Sequence, residues 1–222
     1  GRLVPEHAGN SYVTLLDTGV NHGHPLIAPL VADFLQRHEQ VRVDLQLTDS
    51  VVDLAGEGFD VAVRIGQVVN EGLVARPLRP YRMVIAAAPA YLQRHGTPER
   101  AADLARHQCL SHSVWQRRVE WTLRDGKEEF FWPENARLVC NQGDGLRQAA
   151  LRGLGLIMQP EVLLSDDLAS GALVPVMQHC LPVPRPVHLV YAPDRRQLPK
   201  LARFVEFVVG ALGTLKLPSR MP

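Results

Sequence analysis

The chain has 222 residues, 46% of them hydrophobic, and 24 Lys and Arg against 23 Asp and Glu leave a net charge of +1. A chain of this length buries roughly 70% or more of the surface its unfolded form exposes, so it needs no disulfide or metal staple, and it suits one large domain or two small ones sharing strands. The balanced charge excludes the footprint of a polyanion binder and no apolar run reaches membrane-spanning length; the odd, widely spaced Cys109, Cys140 and Cys180 argue against a disulfide framework and suit a reducing cytosol.

Residues 1–10, GRLVPEHAGN, show no periodicity, and the first element is a short apolar strand, Tyr12–Asp17. The polar, Gly-rich loop TGVNHGHP leads to a helix over Pro25–His38, where proline suits the first helical position because its missing N–H would have no partner there. Leu26, Ile27, Leu30, Val31, Phe34 and Leu35 give that helix one wide apolar face. VRVDLQL alternates strictly, with Arg42, Asp44 and Gln46 on a polar face that is expected to meet water or a partner subunit. TDSVVDLAGEGFDVAVRIG, Thr48 to Gly66, reads as a strand end, a helix of about two turns and a returning strand. Asp49 or Ser50 caps the helix, and Gly56 and Gly58 make the exit. This β-α-β-α-β run is half of a doubly wound lobe, whose ligand site lies at the carboxyl ends of its strands.

LVARPLRPYRMVIAAA, from Leu73, reads as two extended pieces broken at Pro80, a crossover into a second lobe. PAYLQRHG is a short helix, TPERAADLARH a second one capped by Thr97 with Pro98 in its start, and VEWTLRDGKEEFFW a hairpin turning at Asp125-Gly126. RLVC passes through Asn141 and the turn Gly143-Asp144-Gly145 into a helix with Leu146, Ala149 and Ala150 inward, closed by Gly153. LGLIMQP is a buried strand and Glu161 to Ala169 a helix; LVPVM and VHLVYA are extended and bracket a proline-rich return, Pro182 to Pro186. The last helix, Pro199 to about Leu212, turns Leu201, Phe204, Val205, Val208 and Leu212 to one side and is expected to close the first lobe.

The run VVDLAGEGFDVAVRIG resembles the signature VDL-x-x-EGFD-[AV]-A-[IV]-RIG of the effector-binding domain of LysR-type transcriptional regulators. The segments APLVADFLQRHEQVRVDLQLTD, LVARPLRPYRMVIAAAPAYLQRHGTPERAADLARHQCL, QAALRGLGLIMQPEVLLSDDLASGALVPVM and LVYAPDRRQLPKLARFVEFV keep the family's order and approximate spacing over Tyr12 to Leu212. LLDTGVNHGHP departs from the family's usual first loop, and no winged helix-turn-helix precedes it. The resemblance implies an α/β, two-lobed, periplasmic-binding-protein-like (type 2) fold, each lobe a doubly wound sheet, joined by two crossover strands. Lobe I would take residues 1–80 plus 186–222 and lobe II residues 81–185. It implies a cytoplasmic sensor that binds a small-molecule effector between its lobes and forms a homodimer or tetramer. DNA would be reached only through a missing N-terminal domain, and no membrane is involved.

Thr18 and Thr48 end adjacent strands, and their hydroxyls both donate and accept; Asp17 and Gly66 share that edge. Arg64, between apolar neighbours, needs a partner, either an internal carboxylate or an anionic ligand. In the second lobe Ser113, Asn141, Asp144 and Gln159 fall at strand ends or helix starts, and Asp144 also fits the simpler role of a first-turn acid. Helix amino termini and Arg64 favour a small carboxylate, while Asp17, Asp49 and Asp144 leave room for an amine or hydroxyl on the same molecule. Cys109 and His112 have metal-like spacing without a second pair, His22 and His24 flank the first loop, and there is no nucleophile elbow, HExxH or phosphate loop. No catalytic centre, metal or cofactor is expected. An extracytoplasmic solute-binding protein is the alternative reading.

Overall fold

The structure is a computed structural model and describes residues 12–17, 26–48, 58–68, 72–113, 121–194 and 199–213. Thr18, His22, His24, Pro25 and the helix expected after Thr48 lie outside the described residues. The chain divides into two compact units, Gly1–Pro80 with Arg185–Pro222, and Tyr81–Pro184. It opens with β1 (Tyr12–Asp17), α1 (Ala28–Arg37), β2 (Arg42–Leu47), β3 (Val61–Ile65) and β4 (Val74–Tyr81). The second unit carries β5 (Met83–Ala87), α2 (Pro89–His95), a 3-10 turn (Ala101–Arg106), β6 (Ser111–His112), β7 (Leu123–Asp125) and β8 (Glu128–Phe130). It continues through β9 (Val139–Cys140), α3 (Gly143–Leu151), β10 (Ile157–Pro160), α4 (Glu161–Ser170), β11 (Val174–Val176) and a second 3-10 turn (Gln178–Cys180). The chain then returns through β12 (Arg185–Tyr191) to α5 (Pro199–Leu212).

In the first unit the strands lie in the order β2-β1-β3-β12-β4, with β1 parallel to β2 and β3, and β12 antiparallel to β3. The expected apolar faces meet as their spacing requires. Phe34 of α1 is fully buried and packs edge-on against Phe204 of α5 at a ring separation of 5.1 Å, so α5 closes this unit through an aromatic pair. Ile27 and Val31 are also buried, whereas Leu26, Leu30 and Leu35 are half-buried, since β2, against which α1 packs, is the edge strand.

The acid of the EGFD run, Asp60, locks this sheet. Its Oδ2 accepts the Thr14 N–H at 3.0 Å and lies 3.0 Å from the Thr14 hydroxyl, while its own N–H donates to the Thr14 carbonyl at 3.1 Å. A side chain thus adds one rung to the β1–β3 ladder before β3 begins.

Pro80 does not break the crossover. Pro77 and Pro80 both lie inside β4, and the interruption is Arg82. Because β4 ends the sheet order, a proline there forfeits no ladder bond on its open side.

The second unit repeats the plan. β5 runs antiparallel to β10 and β11, β6 runs parallel to β9, and a parallel bridge between Cys109 and Leu156 joins the two pieces. Leu110 N–H donates to the Leu156 carbonyl and Leu156 N–H to the Gln108 carbonyl, each at 2.8 Å, giving the order β9-β6-β10-β5-β11. Val84, Ala86, Leu110, Leu146, Ala150, Ile157, Leu164 and Leu173 form its core. Gly153, at φ 73°, ends α3 by donating its N–H to the Ala150 carbonyl at 2.8 Å.

Two local elements differ from the sequence expectation. Thr97 caps nothing: the segment tightens into a 3-10 turn whose Asp103 carboxylate accepts the N–H groups of Glu99 (3.1 Å) and Arg100 (2.9 Å). Those bonds, led by that from Arg100, hold Asp103 at a pKa of about 2. The hairpin turns one residue later than expected, at Gly126 and Lys127, with Gly126 at φ 65° and Asp125 paired with Glu128. Among the described residues no helix is long and apolar enough to cross a membrane.

Candidate functional site

Parallel register decides which residues share an edge. In the first unit Asp17 pairs with Leu47 and with Val63, so Thr48 and Arg64 each stand one residue beyond a partner of Asp17 on the carboxyl edge of β2-β1-β3. Thr48 and Arg64 are half-buried there. Gly66 follows at φ 108°, donating its N–H to the Pro186 carbonyl at 2.8 Å. A Cβ on Gly66 would meet only the mobile guanidinium end of Arg185, at 2.7 Å, so it is the backbone conformation that favours glycine. The side chain of Asp17 and all of Thr18 lie outside the described residues.

The second unit has its own edge of this kind. Ser113 follows β6 and Asn141 follows β9, strands whose last residues, His112 and Cys140, are register partners. Carrying the Cys109–Leu156 bridge three residues on sets Gln159 level with both. Ser113 and Asn141 are exposed, and the Ser113 N–H donates to the Cys140 carbonyl at 3.0 Å. Asp144, in the first turn of α3, is drawn to Arg147 at 3.2 Å. Arg147 in turn forks onto the buried Asp167, and the Asp167 bonds, ahead of every other influence, push its pKa up. Cys109 and His112 are three residues apart on extended chain and so point to opposite sides, and burial pushes the Cys109 thiol up to about 12. A groove of about 570 Å³ elsewhere in this unit, lined by Arg82, Val84, Glu161, Leu168, Pro175 and Pro184 among others, contains none of the residues assigned from sequence.

Two sheets built on one plan, each with polar groups gathered at the carboxyl ends of three parallel strands, make a recognisable arrangement. The family model for the LysR substrate binding domain matches residues 19–213. The chain belongs to that family. The regulator CrgA of Neisseria meningitidis is 31% identical to it over 189 residues, 85% of this chain and 63% of that protein. A regulator of Xanthomonas campestris is 31% identical over 190 residues, 84% of this chain and 55% of the other. The chain therefore spans less than two thirds of these relatives. Among solved structures the regulatory domain of CrgA superposes with a TM-score of 0.80 at 28% identity, covering 91% of this chain and 99% of that one. The full-length virulence activator AphB of Vibrio cholerae shares the fold, with a TM-score of 0.82 at 24% identity over 92% of this chain and 69% of that one. The fold is the two-lobed, type 2 periplasmic-binding-protein-like one, and the chain is a LysR-type effector-binding domain rather than an extracytoplasmic solute-binding protein.

Within this LysR-type domain the structure adds a residue that the sequence reading passed over. His188 of β12 stands directly opposite Arg64, and its Nδ1 is buried with no hydrogen-bond partner among the described residues. A single polar residue inside the apolar run VHLVY was the available signal. Gln159 stands out in the same way: it is 1% exposed, and neither its Oε1 nor its Nε2 has a partner among the described residues. A buried amide left unbonded costs several kcal/mol, of order 2–7 by transfer measurements.

Proposed function

We propose that this domain is the sensor of a transcriptional regulator and that its effector is a small polar molecule carrying a carboxylate. Thr48, Arg64 and the backbone at Gly66, with Asp17 and Thr18, take it on the first unit; Ser113, Asn141, Asp144 and Gln159 are their counterparts on the second. The observation that carries this reading is the register, which sets Thr48 and Arg64 on either side of β1, each one step past a partner of Asp17, at the carboxyl edge of three parallel strands. His188 opposite Arg64 adds a second group able to donate to an anion.

On the same reading the two compact units are regulatory subdomains I and II, and the domain senses rather than catalyses. The relatives are helix-turn-helix regulators, longer than this chain, and DNA contact in the intact cytoplasmic protein belongs to that additional part. Self-association uses β2 and α1, because β2 is an edge strand whose Val43 and Leu45 stay half-buried within one copy. An effector that fits one arrangement of the domain better than another shifts its population, with a coupling of typically about 1–3 kcal/mol.

Thermal unfolding of the chain against a panel of small carboxylates, amino acids and aromatic acids tests the proposal. A ligand at 100 times its dissociation constant stabilises the folded state by roughly 2.7 kcal/mol. A hit lost in Arg64→Ala and kept in Arg64→Lys supports an anion sensor; a hit that survives Arg64→Ala places the carboxylate elsewhere and overturns it.

A further inference from the structure

Asp125 at the end of β7, with His179 and Cys180 of the 3-10 turn after β11, bring a carboxylate oxygen, an imidazole nitrogen and a thiol sulfur within 4.8 Å of one another. The effector reading uses none of them. Cys180 is fully buried, the Asp125 side chain is 12% exposed, and His179 is exposed. Both bonds that hold the Asp125 carboxylate fall on Oδ2, from the Ala101 N–H at 3.1 Å and the Arg100 Nε at 3.4 Å. Among the described residues its other oxygen is given no hydrogen bond. Met177, which opens the turn, is the one non-glycine residue with positive φ, 51°, among the described residues. The strained backbone therefore lies where it aims the two adjacent ligands.

We propose that Asp125, His179 and Cys180 bind a divalent transition-metal ion, Zn²⁺ being the best match to a mixed oxygen, nitrogen and sulfur donor set. Mg²⁺ and Ca²⁺ take oxygen donors, and a thiolate selects against them. With metal–ligand bonds of about 2.0–2.3 Å, tetrahedral donors stand about 3.5 Å apart, so the cluster closes by about 1 Å on binding. The exposed His179 makes most of that movement. Three protein donors leave a fourth position, on the His179 side, for water. The carboxylate and thiolate balance the ion's charge, while Arg100 and the Ala101 N–H hold the outer oxygen of Asp125, as the carboxylate ligands of metals usually are.

Burial first, then the Asp125 charge, push the Cys180 thiol up, against the Ala101 N–H and the Arg100 charge. Metal binding must expel that proton, so it releases acid. The ion would tie the β7–β8 hairpin to the turn that leads into β12.

The test is a titration of the metal-free 222-residue chain with Co²⁺, followed by displacement with Zn²⁺. The expected result is one ion per chain, the visible bands of tetrahedral cobalt, a sulfur-to-cobalt charge-transfer band, and acid release on binding. His179→Ala changes an exposed side chain, leaves the fold intact, and should weaken binding by at least about ten-fold. Cys180→Ser should remove the charge-transfer band, and Cys140→Ser should keep it. Absence of stoichiometric binding, unchanged affinity in His179→Ala, or a band that follows Cys140 overturns the site.

Discussion

Replacing Asp60 by alanine removes the side-chain rung between β1 and β3 and leaves the rest of the sheet in place. Asp60 is 7% exposed, and its Oδ2 takes the Thr14 N–H and approaches the Thr14 hydroxyl, both at 3.0 Å. The hydroxyl has a second acceptor, the Gly58 carbonyl at 3.1 Å, so the uncompensated loss is the backbone N–H. A charge-assisted hydrogen bond contributes about 1.5–3 kcal/mol, and a stranded buried donor costs about 1–3. Asp60→Ala is therefore expected to lose about 2–3 kcal/mol, and Asp60→Asn, which keeps an acceptor, about 1. For a chain of this length the alanine loss lowers Tm by about 5–10 °C. Urea unfolding followed by far-UV circular dichroism and by tryptophan fluorescence measures it. Trp115, Trp121 and Trp132 all lie within Tyr81–Pro184, so fluorescence follows the second unit while dichroism follows both. If the units unfold separately, only the dichroism transition moves. An alanine variant within about 0.5 kcal/mol of the parent by dichroism would refute the side-chain rung.

Arg147→Ala strands the buried Asp167 carboxylate and should cost about 3 kcal/mol by urea unfolding, and the apolar pair Arg147→Met with Asp167→Leu should recover most of it. Asp103, held at about 2 against an ordinary 3.8, contributes stability that is fully present above about pH 4 and lost as pH falls toward about 2. Unfolding midpoints across that window should fall less steeply in Asp103→Asn. At Gly155 an added Cβ would collide with the Gln108 carbonyl oxygen, which accepts the Leu156 N–H and belongs to backbone that cannot swing aside. Gly155→Ala should lose about 3 kcal/mol in a fluorescence-monitored urea melt.

Periodicity made the elements legible because it measures which side of each is apolar. Helical spacing turns Phe34, Phe204, Val205 and Val208 inward, and all four are buried. Pro80, Thr97 and Asp125-Gly126 misled because proline, hydroxyl and glycine signals report what a local backbone tolerates. An edge strand, a competing carboxylate at Asp103 and a one-residue register shift settled the matter in each case. The site was half legible. Strand ends could be named from the pattern, but the levels at which Thr48 and Arg64 stop are a property of register, and that the amide of Gln159 has no bond among the described residues is a property of what packs around it.

By itself the sequence determined the family, through the EGFD and RIG run and the ordered segments around it, and with the family the two-lobed fold. Those are short-range patterns, carried by spacing along one chain. Only the tertiary structure could set His188 opposite Arg64 or carry Asp125 to His179 and Cys180, whose numbers in the chain suggest no relation. Sheet pairing and turn closure join residues by distance in space, and chain separation puts no limit on that.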